Sequence, residues 1–467
     1  MPHCSCCKPC TACEQRSGRG EEPAVCHRLG VEPLPRHDVR ATLEEIVQGP
    51  PFAGNVRIDR VETIGRARPQ AVVCVPAHRE RDHVAAMIEA WVRAVEYATK
   101  ACGLVIVVNN SPDGTFEAAM HAALQTARRF GASHTIALVE ATLSAKYANV
   151  GYARRLALDL GAAIEGVDVL LSTDADTVVA VDWIERASSA LIVHDLVCGH
   201  TDVDPAELAA LPPSVAACGQ AEAELEASLN ALWWSITGHS ARGFANRGAG
   251  ANMGMRADAY REVGGLPVLR SGEDRALHAL FERHGKSISH EAAMRVRTSC
   301  RLDERAEGGM AGCLGQRAGD ADPPVDSELM PARTLLRRAV LHRVLFGTAG
   351  AGGEALARAH WVATAIGTSV DAIWRGRAAP RETWNRLIAT LSSLRCGKLR
   401  TSQARHEARV AAWMHGWIIA GVPPLAFLTS LGSSCVTDAC LADAAPSAEQ
   451  LPTQGTPPNA AGGELHA

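Results

Sequence analysis

The chain has 467 residues, of which 47% are hydrophobic, 21% charged and 4% aromatic, and its formal net charge is −4. This globular mixture excludes collagen-like, coiled-coil and wholly disordered classes. The near-neutral charge and the scarcity of aromatic rings argue against a protein that binds polyanions, so we expect no nucleic-acid partner. At about 100–200 residues per domain, the length allows two to four domains.

The N-terminal residues 1–67 contain cysteines rather than a periodic apolar pattern. Five cysteines fall within residues 4–13, in two overlapping CxxC steps. Such steps suit a zinc knuckle, but no clean second pair follows. We therefore predict a Cys-rich, disordered extension, with zinc binding as the alternative. No secretory signal is visible, so we expect a reducing, cytoplasmic location.

Short apolar runs alternate with helical periods between residues 68 and 200. Strands are predicted over 71–75, 104–108, 135–139, 167–172 and 195–199, and helices over 84–95, 116–127, 150–164 and 183–192. The alternation predicts an α/β fold, with a mostly parallel, doubly wound sheet and helices on both faces. Ligands of such sheets bind beyond the carboxyl ends of the strands, so the residues that follow each strand are the candidates for a site.

After residue 200 the alternation ends and helical patterns predominate. Residues 331–409 hold 14 Lys/Arg against 4 Asp/Glu, and an apolar run over 410–431 is interrupted by Pro423 and Pro424. We predict a domain over 68–320, a basic, mainly helical accessory region over 321–440, and a disordered tail over 441–467. Trp233 and Trp234 lie about 100° apart on a predicted helix, so at most one can be fully buried.

Asp174 and Asp176 are the first pair of residues that could carry chemistry. They follow a predicted strand at positions i and i+2, so their carboxylates can point to one side and hold a hard divalent cation. The alternative is an acidic turn that caps the next helix.

Glu273 and Asp274 open a later predicted helix. One of these carboxylates could accept a proton from an attacking hydroxyl group. The alternative is that the helix dipole alone favours acidic residues in a first turn.

Six short motifs then occur in a recognisable order. They are VPAHRE at 75–80, VVNNSPD at 107–113, LLSTDADT at 170–177, GANMGMR at 250–256, YREVGG at 260–265 and GED at 272–274. In this order and spacing the chain resembles the family 2 glycosyltransferases with a GT-A fold. The resemblance covers residues 68–310, about half of the chain.

The resemblance implies an inverting transfer from a nucleotide-diphosphate sugar, with a divalent cation, Mn²⁺ or Mg²⁺, as cofactor. It implies that Asp174 and Asp176 bind the metal and that Asp274, beside Glu273, is the catalytic base. The residues that it implies for the nucleotide sugar are Pro76, Ala77, Glu80, Asn109, Asp113, Arg154 and Asp174. Further candidates are Arg155 for the base or diphosphate, His290 as a third metal ligand, and Arg301 and Arg305 for phosphates. The alternatives are a solvated arginine at 155, an unpaired surface histidine at 290, and surface salt bridges for Arg301 and Arg305.

One departure from the family leaves the nucleotide open. The family commonly has Asp-Asp or Asp-Gly after the second strand, where this chain has Asn109 and Asn110. A nucleotidyltransferase and a non-catalytic scaffold that binds a nucleotide sugar remain alternatives. The acceptor is unknown. A lipid-linked acceptor and peripheral contact with an anionic membrane at its inner face are the hypotheses that the basic region suggests. The alternative is a helical accessory subdomain whose apolar stripe packs on the catalytic domain and whose arginines are solvated.

Overall fold

The computed structural model describes residues 36–65, 68–130, 134–238, 250–302, 309–346, 353–395 and 398–424. It divides into two compact units. Unit 1 comprises Met1–Asp202 and Gly248–Thr298, and unit 2 comprises Val203–Arg247 and Ser299–Ala467. Within the described ranges, no helix is both long and apolar enough to cross a bilayer.

Unit 1 alternates strands and helices. Its strands are β1 (Val56–Ile64), β2 (Ala71–Ala77), β3 (Cys102–Asn109), β4 (Thr135–Leu143), β5 (Val169–Ser172), β6 (Thr177–Val179), β7 (Leu196–Val203), β8 (Met253–Arg256) and β9 (Ile288–Thr298). Its helices are α1 (Arg36–Gln48), α2 (Val84–Tyr97), α3 (Thr115–Phe130), α4 (Val150–Ala163), α5 (Trp183–Ala190), α8 (Ala257–Glu262) and α9 (Glu273–Arg283). The predicted strands and helices of this unit are therefore present, with bounds that differ by a few residues.

The strands form one sheet in the order β1-β4-β3-β2-β5-β8-β7-β9-β6. The central strands β4, β3, β2 and β5 are parallel, and β1 and β8 flank them in antiparallel pairing. This confirms the predicted α/β class with a parallel sheet at its centre. β2 and β3 are buried at every residue, which explains why they are continuous apolar runs.

Both faces of the sheet are covered by helices, as predicted. Val73 and Val75 of β2 pack in one apolar layer with α2, α3 and α5. Val72 and Cys74 point to the other layer, which contains α1, α4, α8 and α9. The alternation follows from the period of two along a strand. The sheet is therefore a rigid base for the residues at its edge.

Part of the segment predicted as a disordered extension is ordered. Residues 36–48 form α1, and β1 pairs with β4 in antiparallel register from Val56 opposite Leu143 to Ile64 opposite Ile136. β1 mixes Val and Ile with charged residues and is half-exposed at most of its positions. An edge strand of this kind lacks the apolar run by which the central strands were predicted. The N-terminal cysteines lie outside the described residues.

Unit 2 is helical in its described part, in agreement with the mainly helical C-terminal region that the sequence predicts. Its helices are α6 (Pro205–Ala210), α7 (Pro213–Thr237), α10 (Met310–Ala318), α11 (Ala332–Phe346), α12 (Gly353–Ile366), α13 (Val370–Gly376), α14 (Pro380–Thr390) and α15 (Thr401–Ile419). They enclose their own apolar core. On α7, Trp233 is half-buried and Trp234 is 57% exposed, so at most one of the pair is buried, as predicted.

Asn252 joins three parts of unit 1 inside its core. Its side chain is fully buried, and its Nδ2 donates to the carbonyls of His200 on β7 and Met294 on β9, at 2.8 and 2.9 Å. Its Oδ1 accepts from Nε1 of Trp183 at 2.8 Å. Gly199 leaves room for this amide, because a Cβ there would lie 2.4 Å from Nδ2. Asn252 is thus a structural residue of the GANMGMR motif.

We expect Asn252→Ala to lower the free energy of unfolding of unit 1 by about 2–4 kcal/mol, because it leaves the indole N–H of Trp183 buried without its acceptor. Urea denaturation followed by fluorescence measures the change. Asn252→Ala combined with Trp183→Phe removes donor and acceptor together, so the two losses should be less than additive. Strict additivity, or an unchanged denaturation midpoint in Asn252→Ala, would contradict this role.

Candidate active site

The candidate site lies at the carboxyl ends of the central parallel strands. β3, β2 and β5 are neighbours in the sheet, so the segments that follow them leave the same edge side by side. Pro76 and Ala77 end β2, Asn109 ends β3, and Asp174 follows β5 by two residues. The sheet therefore brings the strand-end residues of the sequence motifs to one edge.

Arg154 lies at the centre of the site. Asn149 caps α4 by accepting the backbone N–H of Tyr152 at 3.3 Å, and the helix then carries Arg154 into the interior, where it is 3% exposed. Its Nη2 lies 2.7 Å from Oδ1 of Asp174, and its Nε lies 3.1 Å from Oε1 of Glu273. One buried cation thus links two of the predicted site segments.

The remaining donor of Arg154 binds two neutral oxygens. Nη1 donates to Oγ of Ser172 at 2.9 Å and to the carbonyl of Gly250 at 2.8 Å. The backbone N–H of Gly250 in turn donates to Oδ2 of Asp274 at 2.9 Å. A Cβ at Gly250 would lie 2.7 Å from the guanidinium carbon, so glycine permits this approach. The guanidinium of Arg154 is therefore the point at which strand β5, the segment at Gly250 and the start of α9 meet.

The charges of this cluster are strongly coupled. Burial opposes the charge of Arg154, but Asp174 and Glu273 outweigh it, so the pKa of its guanidinium is raised. Burial also raises the pKa of Glu273, and Arg154 offsets part of that effect. Arg154 was expected to bind the nucleotide sugar, but its side chain is buried between carboxylates. Its observed contacts are those of a residue that positions others.

Arg155 belongs to a second network on the same helix. Its Nε lies 2.6 Å from Oδ2 of Asp159, and its Nη1 donates to the carbonyl of Leu266 at 2.8 Å. The hydroxyl group of Tyr260 donates to Oδ1 of Asp159 at 2.7 Å. Gly265 has a φ of 80°, and a Cβ there would lie 2.5 Å from the guanidinium carbon of Arg155. This network fixes the YREVGG turn, and Arg155 binds that turn together with Asp159 of its own helix.

The loops after β2 and β3 are joined to each other by hydrogen bonds. The backbone N–H groups of Arg79 and Glu80 donate to the hydroxyl groups of Ser111 and Thr115, at 2.7 and 2.9 Å. Asp113 accepts from the hydroxyl groups of Ser111 and Thr115, at 2.8 and 2.6 Å. Its burial works against ionisation, but these hydrogen bonds prevail and lower the pKa of its carboxyl group. Asp113 is thus an ionised carboxylate that organises the two loops.

Asn109 and Asn110 have different environments. Asn109 is 4% exposed, and its carbonyl lies 2.8 Å from Nδ1 of His78. Asn110 adopts a φ of 47°, and its amide forms two hydrogen bonds with the backbone of Leu143, at 2.9 and 3.0 Å. Of the Asn pair that departs from the family pattern, Asn110 therefore fastens the end of β3 to the end of β4.

Asp176 follows Asp174 at the same strand end. Its Oδ1 accepts a long hydrogen bond of 3.3 Å from Thr298, the last residue of β9. Two carboxylates are a suitable donor set for a hard cation that takes its other ligands from phosphate and water. Among the described residues, no group of three or more His, Cys, Asp or Glu side chains has the arrangement of a metal site.

The other candidates lie elsewhere. His290 is eight residues before Thr298 on β9, about 26 Å along an extended strand, and its ring lies 5.6 Å from that of His278. Arg301 belongs to unit 2, where its Nε donates to Ser299 at 2.9 Å. Arg305 lies outside the described residues. His290 is therefore placed away from Asp176.

The roles of Ser172 and Gly250 were not predicted from the sequence. Ser172 was part of the LLSTDADT string, and its hydroxyl group donates to the carbonyl of Gly250 at 2.8 Å. A serine that ends an apolar strand next to an acidic pair was the available signal. The signal at Gly250 was a glycine-rich string with no preceding strand and with spacing unlike that of a dinucleotide fingerprint.

No family model and no curated protein matches the chain. Among solved structures, it is similar to S. aureus TarS 1–349 in complex with UDP-GlcNAc, at 13% identity and a TM-score of 0.36, over 73% of this chain and 88% of that one. It is also similar to the mannosyltransferase PcManGT from Pyrobaculum calidifontis in complex with GDP-Man and Mn²⁺, at 12% identity and a TM-score of 0.35, over 84% and 88% of the two chains.

A third similar structure is glucosyl-3-phosphoglycerate synthase from Mycobacterium tuberculosis in complex with Mg²⁺ and UDP. Its identity is 17% and its TM-score 0.30, over 54% of this chain and 81% of that one. All three TM-scores are below 0.5, so the likeness is slight.

Arg154→Met removes the counter-charge of a buried carboxylate, which should cost about 3–5 kcal/mol of stability. The pKa of Glu273, already raised, should rise further, so the folded variant binds a proton more tightly than the unfolded chain. The stability of the variant should then fall as the pH rises above about 4.3, the ordinary Glu pKa. Urea denaturation between pH 5 and pH 8 measures this slope.

Arg154→Met combined with Glu273→Gln is the matched control, because a glutamine cannot titrate. The stability of this double variant should lack the additional decrease with rising pH that Arg154→Met shows relative to the wild type. Equal pH dependence in the wild type and in Arg154→Met would mean that Arg154 does not stabilise the ionised form of Glu273.

Proposed function

We propose that the protein is a glycosyltransferase that moves a sugar from a nucleotide-diphosphate sugar to an acceptor hydroxyl group, with inversion. The observation that carries this proposal is the convergence of three motif segments on Arg154. Asp174 and Glu273 bind its guanidinium directly, and Asp274 is joined to it through Gly250. Arg154 thus holds together the acidic groups that we propose to act at the leaving group and at the acceptor. They lie at the edge of the sheet where the parallel strands end.

The donor is expected along the loops after β2 and β3. Pro76, Ala77 and Glu80 would line the nucleotide, and Asn109 and Asp113 would help to hold the base. The hydrogen bonds between the two loops support this assignment, because they give the nucleotide a surface that is formed before it binds. Arg154 would act by orienting Asp174 rather than by touching the donor.

A divalent cation, Mn²⁺ or Mg²⁺, would be held by Asp174 and Asp176. Arg154 binds one oxygen of Asp174, and this side chain remains 35% exposed. The cation would supply positive charge beside the departing diphosphate. Arg154 and Ser172 keep the end of β5 in place for that role.

Asp274 is the proposed catalytic base. It is half-buried, whereas Glu273 is 4% exposed and paired with Arg154. The Asp274 carboxylate takes the proton of the acceptor hydroxyl group as the acceptor oxygen bonds to the anomeric carbon. The bond from that carbon to the diphosphate oxygen breaks, and its electron pair leaves with the nucleoside diphosphate. Attack from the face opposite to the leaving group inverts the anomeric carbon.

Two alternatives are separated by their products. A nucleotidyltransferase would release pyrophosphate from a nucleoside triphosphate, and a scaffold would bind a nucleotide sugar without turnover. Release of a nucleoside diphosphate from its sugar supports the glycosyltransferase. A panel of nucleoside diphosphates and their sugars, with and without Mn²⁺, in a thermal-shift assay would identify the donor. A cytoplasmic location and a lipid-linked acceptor remain parts of this proposal.

Asp274→Asn should lower transfer by roughly 10²–10⁴-fold, because the amide keeps an acceptor for the Gly250 N–H group but cannot take a proton. Donor affinity should stay within about twofold, since the base faces the acceptor. Steady-state transfer kinetics and titration of the donor separate the two effects. A larger loss in donor affinity than in turnover would refute the assignment of Asp274 as the base.

Asp176→Asn should weaken Mn²⁺-dependent binding of the nucleoside diphosphate by at least tenfold, because a charged oxygen ligand becomes neutral. Calorimetric titration with and without Mn²⁺ measures the difference. Asp258→Asn is the matched control, since Asp258 is a surface carboxylate paired with Arg256 at 2.6 Å. The same Mn²⁺ effect in both variants and in the wild type would exclude Asp176 as a ligand.

A further inference from the structure

Three long helices of unit 2 finish at the same end. Near the helix starts, Arg405 on α15 donates to the carbonyl of Ala217 on α7, and the N–H of Ala332 on α11 donates to Glu407 on α15. Near the helix ends, Nη1 of Arg343 on α11 donates to the carbonyl of Ile236 on α7 at 3.2 Å. α7, α11 and α15 therefore run in the same direction, and the last turns of α7 and α11 lie together.

Aromatic side chains crowd this end of unit 2. The ring centroids of His342 lie 5.2 Å from Trp233, 4.6 Å from Phe346 and 5.6 Å from Trp384. Trp234 and Trp417 are in the last turns of α7 and α15. We call this group the aromatic end, and its members are Trp233, Trp234, His342, Phe346, Trp384 and Trp417.

Much of the aromatic end faces solvent. Trp234 is 57% exposed, Phe346 is 39% exposed and Trp417 is 37% exposed, and Ile419, two residues after Trp417, is 48% exposed. Seven of the nine tryptophans of the chain belong to unit 2. A concentration of exposed rings on one end of a helical unit marks a surface that is covered by something else.

The charge around the aromatic end indicates what covers it. Arg343 in the last turn of α11 is exposed, and Arg381 and Arg386 on α14 are exposed on either side of Trp384, with Glu382 as the exposed acidic residue beside them. Arg405 and Arg409 lie in the first half of α15, away from this end, and residues 410–419 of that helix carry no Asp, Glu, Lys or Arg. A local excess of positive charge thus borders the rings.

We propose that the aromatic end docks on an anionic lipid bilayer. Indole rings favour the boundary between headgroups and acyl chains, and the surrounding arginines are attracted to anionic headgroups. The last turns of α7, α11 and α15 enter the headgroup region and the bilayer is not crossed. This inference is independent of the proposed transfer reaction, because it concerns binding to a surface and requires no turnover.

The test uses the full chain and two kinds of vesicle, phosphatidylglycerol with phosphatidylcholine and phosphatidylcholine alone. We expect co-sedimentation with the anionic vesicles, a blue shift of tryptophan fluorescence, and at least tenfold weaker binding at 1 M salt than at 0.05 M salt. The double variant Trp234→Ser/Trp417→Ser should bind the anionic vesicles at least tenfold more weakly. Circular dichroism verifies that it is folded.

Ile192→Ser/Val193→Ser is the matched control. These unit 1 side chains are 76% and 72% exposed, so the control also removes exposed apolar surface, and it should bind as the wild type does. Absence of wild-type binding at low salt, equal binding to both vesicle types, or equal losses in the two variants overturns the proposal. Self-association in sedimentation velocity that only the tryptophan variant abolishes, without vesicle binding, would assign the aromatic end to a second copy instead.

Discussion

The buried guanidinium of Arg154 is the interaction on which the candidate site depends. A charge in the interior of a protein is costly unless carboxylates and other acceptors surround it. Arg154 has two carboxylates, from Asp174 and Glu273, and two neutral oxygens, from Ser172 and Gly250. None of these groups can move without leaving a buried charge less well solvated. Their relative positions are therefore fixed before any ligand arrives.

Glycine makes this arrangement sterically possible. Side chains at Gly250 and Gly265 would collide with the guanidinium groups of Arg154 and Arg155 respectively. The two consecutive arginines on α4 thus hold two separate backbone segments, one before β8 and one before α9. Gly250 and Gly265 thus act by admitting an arginine close to the backbone. A role in binding phosphate is not needed to explain them.

The sequence predicts the central strands well because burial on both faces leaves an uninterrupted apolar run, as in β2 and β3. It does not predict β1, because charged residues are as typical of a loop as of a strand at the edge of a sheet. It places Asp174 and Asp274 at element ends but does not reveal that Arg154 connects them. Arg154 and Glu273 are 119 positions apart. A single polar residue on a helix has no local feature that distinguishes a buried ion pair from a solvated surface group.

Tryptophan side chains are buried in unit 1, whereas several of those in unit 2 are exposed. In unit 1, Trp91 and Trp183 are at most 1% exposed and fill the layer between the sheet and its helices. In unit 2, Trp234, Trp361 and Trp417 are between 37% and 57% exposed. Removing an indole ring from water is among the larger single gains available to a side chain. Unit 1 obtains that gain within its own core. For the rings at the aromatic end of unit 2, part of that gain is still available, so a surrounding medium less polar than water would stabilise them further.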